Sequence, residues 1–386
     1  MKVPFFKGEF IRSGATIFIA TLFASLIAFV ANVIISNVLG PESFGSFKVI
    51  IYLFAFLPLL ADFGINSSLT KYISEFGKNS KKSSHLIEKF LEFKVIGYAA
   101  LIAILLLLKD QIALYFLKDA SLSYLVLAGI ALLAFSFFGT FSFIALGFQN
   151  FKLFSLSQFL NSASSVVLAV LLSPLGIFYI ILGWSLGPLI GNIPTTFYTI
   201  KKMGRSYEKI DVKKIFMEFS LPVYPVDLST NLFTVIIPLL SLLFSQTLVG
   251  YYSFAFMFYY VAMLIPNSLS YVLFPKVSEL NGLKRYDHAK HILRKSFTYY
   301  SLIAAAGLVF VLFLSEWFIG TIASDYIQSV FIFKDIVSLG FLFGYNVIYS
   351  NYLKGLGKVK KYALLMLVQN LILIVVSLFL LSATPL

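Results

Sequence analysis

Cysteine is absent from the 386 residues, which excludes disulfides, thiolate catalysis and cysteine-held metal and leaves the redox compartment undetermined. Charge is nearly as scarce. Only 12% of residues are Asp, Glu, Lys or Arg, about half the share of an ordinary soluble domain. The charge-rich stretches at 71–94, 201–214 and 276–295 are each too short to bury a core, so no catalytic domain is expected on either side of a membrane. Histidine is limited to His85, His288 and His291, all in those stretches. His288 and His291 have a spacing that suits a metal, but the ligand set around them is incomplete, and a solvated basic face is the plainer reading. Neither a Walker loop nor a hydrolase elbow is present, so the chain is not read as an enzyme, nor as an ATP-driven pump by itself.

What is abundant is apolar surface. Hydrophobic residues make up 59% of the chain, which excludes a soluble globular protein. A span needs about 20 apolar residues to cross about 30 Å of hydrocarbon. Apolar runs bounded by polar or turn residues place eleven spans near 13–36, 46–70, 95–108, 122–147, 154–173, 176–199, 216–245, 250–274, 297–315, 328–352 and 362–382. With the amino terminus inside, every Lys and Arg except Lys48, Lys109, Lys118 and Lys334 falls in an inner loop or tail. The positive-inside rule therefore sets a cytoplasmic N-terminus in a cell-membrane protein. The net charge of +13 is thus a topology signal. Dispersed over short loops, it fits anionic lipid headgroups and not nucleic acid. The first apolar run is too long for a signal peptide and is read as a retained helix.

Three weak internal matches share nearly one offset. Leu39-Gly40-Pro41-Glu42-Ser43-Phe44-Gly45 resembles Thr247-Leu248-Val249-Gly250-Tyr251-Tyr252, with Gly45 on Gly250. Leu69-Thr70-Lys71-Tyr72-Ile73-Ser74-Glu75-Phe76 resembles Phe274-Pro275-Lys276-Val277-Ser278-Glu279-Leu280, and Leu146-Gly147-Phe148 resembles Lys354-Gly355-Leu356. The offsets run from 204 to 208. A duplicated bundle is expected, all α-helical and polytopic, with an N-terminal six-helix lobe over 1–200, a cytoplasmic connector over 201–215 and a C-terminal lobe of about five helices over 216–386 around a central cavity. The second lobe lacks a sixth helix, which leaves a truncated six-plus-six chain and an eleven-helix variant both open.

The turn at Leu39-Gly40-Pro41-Glu42-Ser43-Phe44-Gly45, the Asp62-Phe63-Gly64-Ile65 end of the second span, Gly250-Tyr251-Tyr252-Ser253-Phe254-Ala255 and Phe274-Pro275-Lys276-Val277-Ser278-Glu279-Leu280 resemble Wzx-type polysaccharide biosynthesis flippases. These belong to the superfamily that also holds multidrug (MATE) exporters and lipid II flippases. The resemblance implies export of a lipid-linked oligosaccharide by two lobes that alternately open a central cavity. The Leu-Gly-Pro turn itself reads as structural, with Gly40 ending one helix and Pro41 starting the next.

Polar residues inside spans carry the remaining signal, because lipid offers them no hydrogen bonds. In the second span Lys48, Tyr52, Ala55, Asp62 and Asn66 share one face at 3.6 residues per turn. In the seventh, Asp227, Asn231, Thr234, Pro238, Ser241 and Ser245 do the same. Thr21, Ser25, Ala28, Asn32 and Ser36 stripe the first span; Tyr252, Tyr259, Pro266, Asn267 and Ser270 stripe the eighth. Stripes of small residues are equally read as helix contacts. Lys334 and Asp335 lie about 10 Å deep in the tenth span and break the symmetry of the halves; snorkelling to the interface is the alternative for Lys334. The expected cavity residues are Lys48, Asp62, Asp227, Asn231, Asn32, Lys334, Asp335, Tyr259 and, at the inner mouth, Arg12. Lys48 and Lys334 are expected to face phosphate. Asp62 and Asp227 are expected to pair with them or to bind a coupling proton or sodium ion. No cofactor is expected. The expected partners are a lipid-linked oligosaccharide, membrane lipids and a glycan polymerase or glycosyltransferases. A multidrug antiporter and a nontransporting scaffold for glycan assembly are the alternatives.

Overall fold

A computed structural model describes residues 9–76, 81–112, 114–115, 122–203, 208–282 and 284–383. Helices follow the apolar runs: α1 (Glu9–Leu60), α2 (Ile65–Phe76), α3 (Lys81–Leu107), α4 (Lys109–Ile112), α5 (Leu122–Gly147), α6 (Phe151–Leu172) and α7 (Ile177–Lys202). After them come α8 (Val212–Ile215), α9 (Leu221–Thr230), α10 (Ile236–Leu243), α11 (Gln246–Gly282), α12 (Tyr286–Ile322), α13 (Val330–Gly355) and α14 (Val359–Ala383). The described residues contain no strand. Nine helices among them are long and apolar enough to cross a membrane, and the bent pair Val212–Ser229 and Leu232–Leu243 makes a tenth. The first of the nine is itself two helices meeting at Gly40, whose φ of 69° and ψ of 171° are not helical. Divided there, α1 covers the first apolar run and most of the second. The chain is an all-α polytopic membrane protein.

Three local readings need correction. First, the second span is not one straight helix. α1 ends at Leu60, and residues 61–64 form a turn in which Phe63 and Gly64 both take positive φ, 47° and 74°. The periodicity that put Lys48 and Asn66 on one face is interrupted between them. Second, the seventh span is broken twice. A π-turn at Phe216–Ser220 precedes α9, and a 3-10 turn at Leu232–Val235 separates α9 from α10 across a 55° bend. Pro222, Pro225 and Pro238 lack the N–H that a regular helix needs, so carbonyls one turn earlier lose their partners and the helix yields. Third, α3 begins at Lys81, well before the predicted start at 95, because Leu86, Ile87 and Phe90 are buried and continue the helix. Lys94 is therefore a residue of the span and not of the inner loop.

The chain forms two compact units, one of Met1–Gly14, Asn32–Lys48 and Leu239–Leu386, the other of Ala15–Ala31 and Val49–Pro238. Each has a core of the same construction. In the second unit Ile65, Leu69, Ile73, Leu86, Ile87, Phe90, Ile144 and Phe148 pack together; in the first, Leu273, Val277, Leu280, Ala289, Tyr300, Ile348 and Tyr352 do. The correspondence reaches single contacts. A Cβ on Gly147 would lie 3.0 Å from Ile73 Cβ, and one on Gly355 would lie 2.8 Å from Val277 Cβ. These are the positions that the sequence offsets pair. The internal repeat is thus a repeat of packing.

Candidate functional site

With so few charges available, the site is built from those that the fold buries. In the second unit, Lys94 on α3 is 1% exposed. Its ammonium donates to Asp62 Oδ1 at 2.6 Å, Asn66 Oδ1 at 2.7 Å and Thr140 Oγ1 at 2.7 Å. Asp62 reaches it because the turn at 61–64 swings the carboxylate out of the α1 register, while Asp62 O accepts from Ile65 N–H and starts α2. Gly64 makes that turn possible twice over. It takes positive φ, and a Cβ there would sit 2.2 Å from Ser220 O.

Residues 60–68 are joined to 220–227 of the same unit by several polar contacts. Ser67 Oγ donates to Asp227 Oδ2 at 2.9 Å, Ser68 and Ser220 share a hydroxyl contact of 2.5 Å, and Tyr224 OH donates to Leu60 O at 3.1 Å. Asn231 sits at the break after α9, where its Nδ2 donates to Asp227 O at 2.8 Å and its own carbonyl accepts from Thr234 Oγ1 at 2.7 Å. Asp227 and Asn231, neighbours by periodicity, remain neighbours because the bend begins between Asn231 and α10.

In the first unit, Lys48 is 6% exposed and donates to Asn32 Oδ1 at 2.5 Å. Its ammonium also lies 5.1 Å from the Phe44 ring centroid and 5.6 Å from that of Phe47. Among the described residues no carboxylate comes within ion-pair distance of it. Amide oxygen and ring faces compensate a cation only in part. The helical segment after Gly40 that carries Lys48 is held tightly against the start of α11. A Cβ on Gly45 would be 2.1 Å from Gln246 O, and one on Gly250 1.8 Å from Pro41 O. Around this approach Tyr326 OH donates to Ser36 O at 3.0 Å, and Asn37 Nδ2 to Ile322 O at 2.9 Å.

The remaining candidates are dispersed. Tyr259 is buried and stacks on Phe256 at 5.1 Å. Lys334 and Asp335 are half-buried on α13, and neither forms an ion pair among the described residues. The side chain of Arg12 lies outside the described residues. The expectation that Asp62 pairs with Lys48 or Lys334 is corrected by the geometry: its partner is Lys94, which lies on the helix packed beside the 61–64 turn. Sequence reasoning missed Lys94 because hydropathy began the third span one residue later. A further stretch of the repeat marks it. Ser84-His85-Leu86-Ile87-Glu88-Lys89 aligns with Lys290-His291-Ile292-Leu293-Arg294-Lys295 at an offset of 206, which sets Lys94 on Tyr300.

The model of a family described as polysaccharide biosynthesis protein matches residues 10–281. The chain is similar in structure to an inward-facing multidrug resistance MATE family transporter of the MOP superfamily, with a TM-score of 0.74 at 14% identity over 90% of this chain and 84% of that one. It is also similar to the lipid II flippase MurJ in an inward closed conformation, with a TM-score of 0.68 at 17% identity over 95% and 87% of the two chains. A third similar structure is a MOP superfamily transporter from Pyrococcus furiosus described as having a binding pocket of reverse polarity, with a TM-score of 0.62 at 14% identity over 97% and 88%. No curated protein matches the sequence. At these identities the likeness is one of fold.

Proposed function

Since this chain belongs to the polysaccharide biosynthesis protein family, we propose that it carries a lipid-linked oligosaccharide, on a polyprenyl phosphate or pyrophosphate, across the cell membrane by alternating access. The observation that carries this reading is the state of Lys48. A buried ammonium that has an amide oxygen and two aromatic faces and, among the described residues, no carboxylate within ion-pair distance is a strong attractor for an anion. A cargo phosphate replaces Asn32 as its partner at little cost, since the neutral amide then finds water or a sugar hydroxyl. Lys334 on α13 serves as a second phosphate-facing cation. The fold of the lipid II flippase supports a lipid-borne cargo.

The task is to move sugar hydroxyls and phosphate past hydrocarbon while the polyprenyl tail stays in lipid. A wet, laterally open groove removes most of the desolvation cost. Asp227, with Asn231 and Ser67 around it, is the candidate for a coupling proton or sodium ion. The membrane potential contributes about 2.3 kcal/mol per charge per 100 mV and biases whichever charge moves. In this reading the loops rich in Lys and Arg face the cytoplasm and the N-terminus lies with them; glycosyltransferases there supply cargo, and a glycan polymerase takes it outside.

In cells that depend on this chain for surface glycan, the Lys48→Gln and Lys334→Gln double variant is expected to cut surface glycan by about tenfold or more at unchanged membrane abundance. Immunoblotting of membranes and staining of surface glycan measure the two quantities. Full export by the correctly inserted double variant would defeat the assignment of both lysines. Normal glycan in a strain that lacks the chain, together with lost resistance to cationic drugs, would instead favour the multidrug antiporter.

A further inference from the structure

Lys94 occupies a cage of oxygens. A lysine ammonium has three N–H donors and no acceptor, and Asp62, Asn66 and Thr140 take one each at 2.6–2.7 Å. No donor is left for a cargo phosphate. A carboxylate, an amide oxygen and a hydroxyl converging on one point are also the ligand types that hard cations take, and their single negative charge matches a monovalent ion. The Thr140 hydroxyl passes its own proton to Ser136 O at 2.9 Å, so its oxygen is committed to the centre of the cage as an acceptor.

Packing does not demand this charge. At the repeat-equivalent position the first unit has Tyr300, fully buried, which donates to the Phe341 carbonyl at 2.7 Å. A neutral hydroxyl thus fills the same place in the other half. Replacing a buried ion pair by neutral groups of similar volume is often neutral or stabilising, so the pair in the second unit is not explained by stability alone.

We propose that Lys94 is a tethered cation filling a monovalent-cation site made by Asp62, Asn66 and Thr140. Asp62 is thereby removed from the groups that exchange a coupling ion, and taking away the ammonium opens the site to an alkali cation. The inference concerns ion use and holds whichever cargo is carried.

Thermal unfolding of the purified full chain, in NaCl, KCl or N-methyl-D-glucamine chloride at equal ionic strength and mildly alkaline pH, tests it. Lys94→Ala is expected to melt below wild type in N-methyl-D-glucamine and to regain at least half of the lost midpoint in about 100 mM Na⁺ or K⁺. The comparison of the two salts identifies the preferred ion. The Asp62→Asn/Lys94→Ala double variant is expected to show no such recovery. Asp62→Asn alone, which keeps three oxygens around the ammonium, is expected to respond to the cations as wild type does. Equal melting of Lys94→Ala in all three salts would overturn the proposal. So would an Asp62→Asn variant that loses a cation response present in wild type, a comparison that remains decisive where Lys94→Ala does not fold.

Discussion

Gly64→Ala is expected to abolish glycan export and to lower the melting midpoint by on the order of 5–10 °C, through two separate costs of a single methyl group. The residue sits at a φ of 74°, where a Cβ costs about 1–2 kcal/mol. The same Cβ would lie 2.2 Å from Ser220 O and 3.3 Å from Tyr224 N. Backbone atoms cannot escape by a rotamer change, so residues 61–64 must move away from the π-turn at Phe216–Ser220, at a further cost of about 1–3 kcal/mol. That shift pulls on Asp62, whose carboxylate is held at 2.6 Å by Lys94, and on the Ser67 contact to Asp227. Thermal unfolding and an export assay on the same membranes check both parts. A variant that melts and exports like wild type would show that the 61–64 break is not needed.

The second large effect is expected at Gly250. An alanine Cβ there would lie 1.8 Å from Pro41 O, at the start of the helical segment that carries Lys48. Relieving it requires that segment and the start of α11 to separate by roughly 1.5 Å, which loosens close-packed neighbours as well. Tyr326 bridges the two sides, since it donates to Ser36 O of α1 and stacks on Phe254 of α11 at 4.4 Å, and Asn37 of α1 donates to Ile322 O nearby. Gly250→Ala is expected to cost about 2–4 kcal/mol and most of the export activity. Gly45→Ala, whose Cβ would meet Gln246 O at 2.1 Å, is expected to follow it. Gly129→Ala, with nothing within 4 Å, is the control, expected to be neutral or slightly stabilising in its helix. Thermal midpoints of the three variants, measured together, decide the matter.

The membrane class was legible in the sequence because hydropathy is set by composition over a whole helix, and the family through its glycine and turn motifs; the bounds of single spans were less so, since α3 begins at Lys81 and the second and seventh spans are broken. The repeat was legible too. Gly45 and Gly250, aligned as equivalents, turn out to belong to one contact of α11 with the Pro41–Gly45 turn, where the absence of side chains on both segments permits the approach. Helical stripes were less reliable, because a count at 3.6 residues per turn assumes an unbroken helix. Asp62 and Asn66 lie on opposite sides of a turn that Gly64 signals, yet both reach Lys94 because the turn brings them there. Asp227 and Asn231 survived as a pair since they precede the bend. Lys94 itself was hidden by its charge, which hydropathy reads as the end of a span. Only its alignment with a core tyrosine of the other half marks it as buried.

The most direct test is transfer of a fluorescent polyprenyl-pyrophosphate oligosaccharide between leaflets of vesicles that contain the purified chain, read by the fraction accessible to an impermeant quencher. Transfer well above that of protein-free vesicles, reduced by Lys48→Gln without loss of reconstituted protein, is the expected result. Transfer equal to that of empty vesicles, under an imposed ion gradient of either sign, would contradict the account.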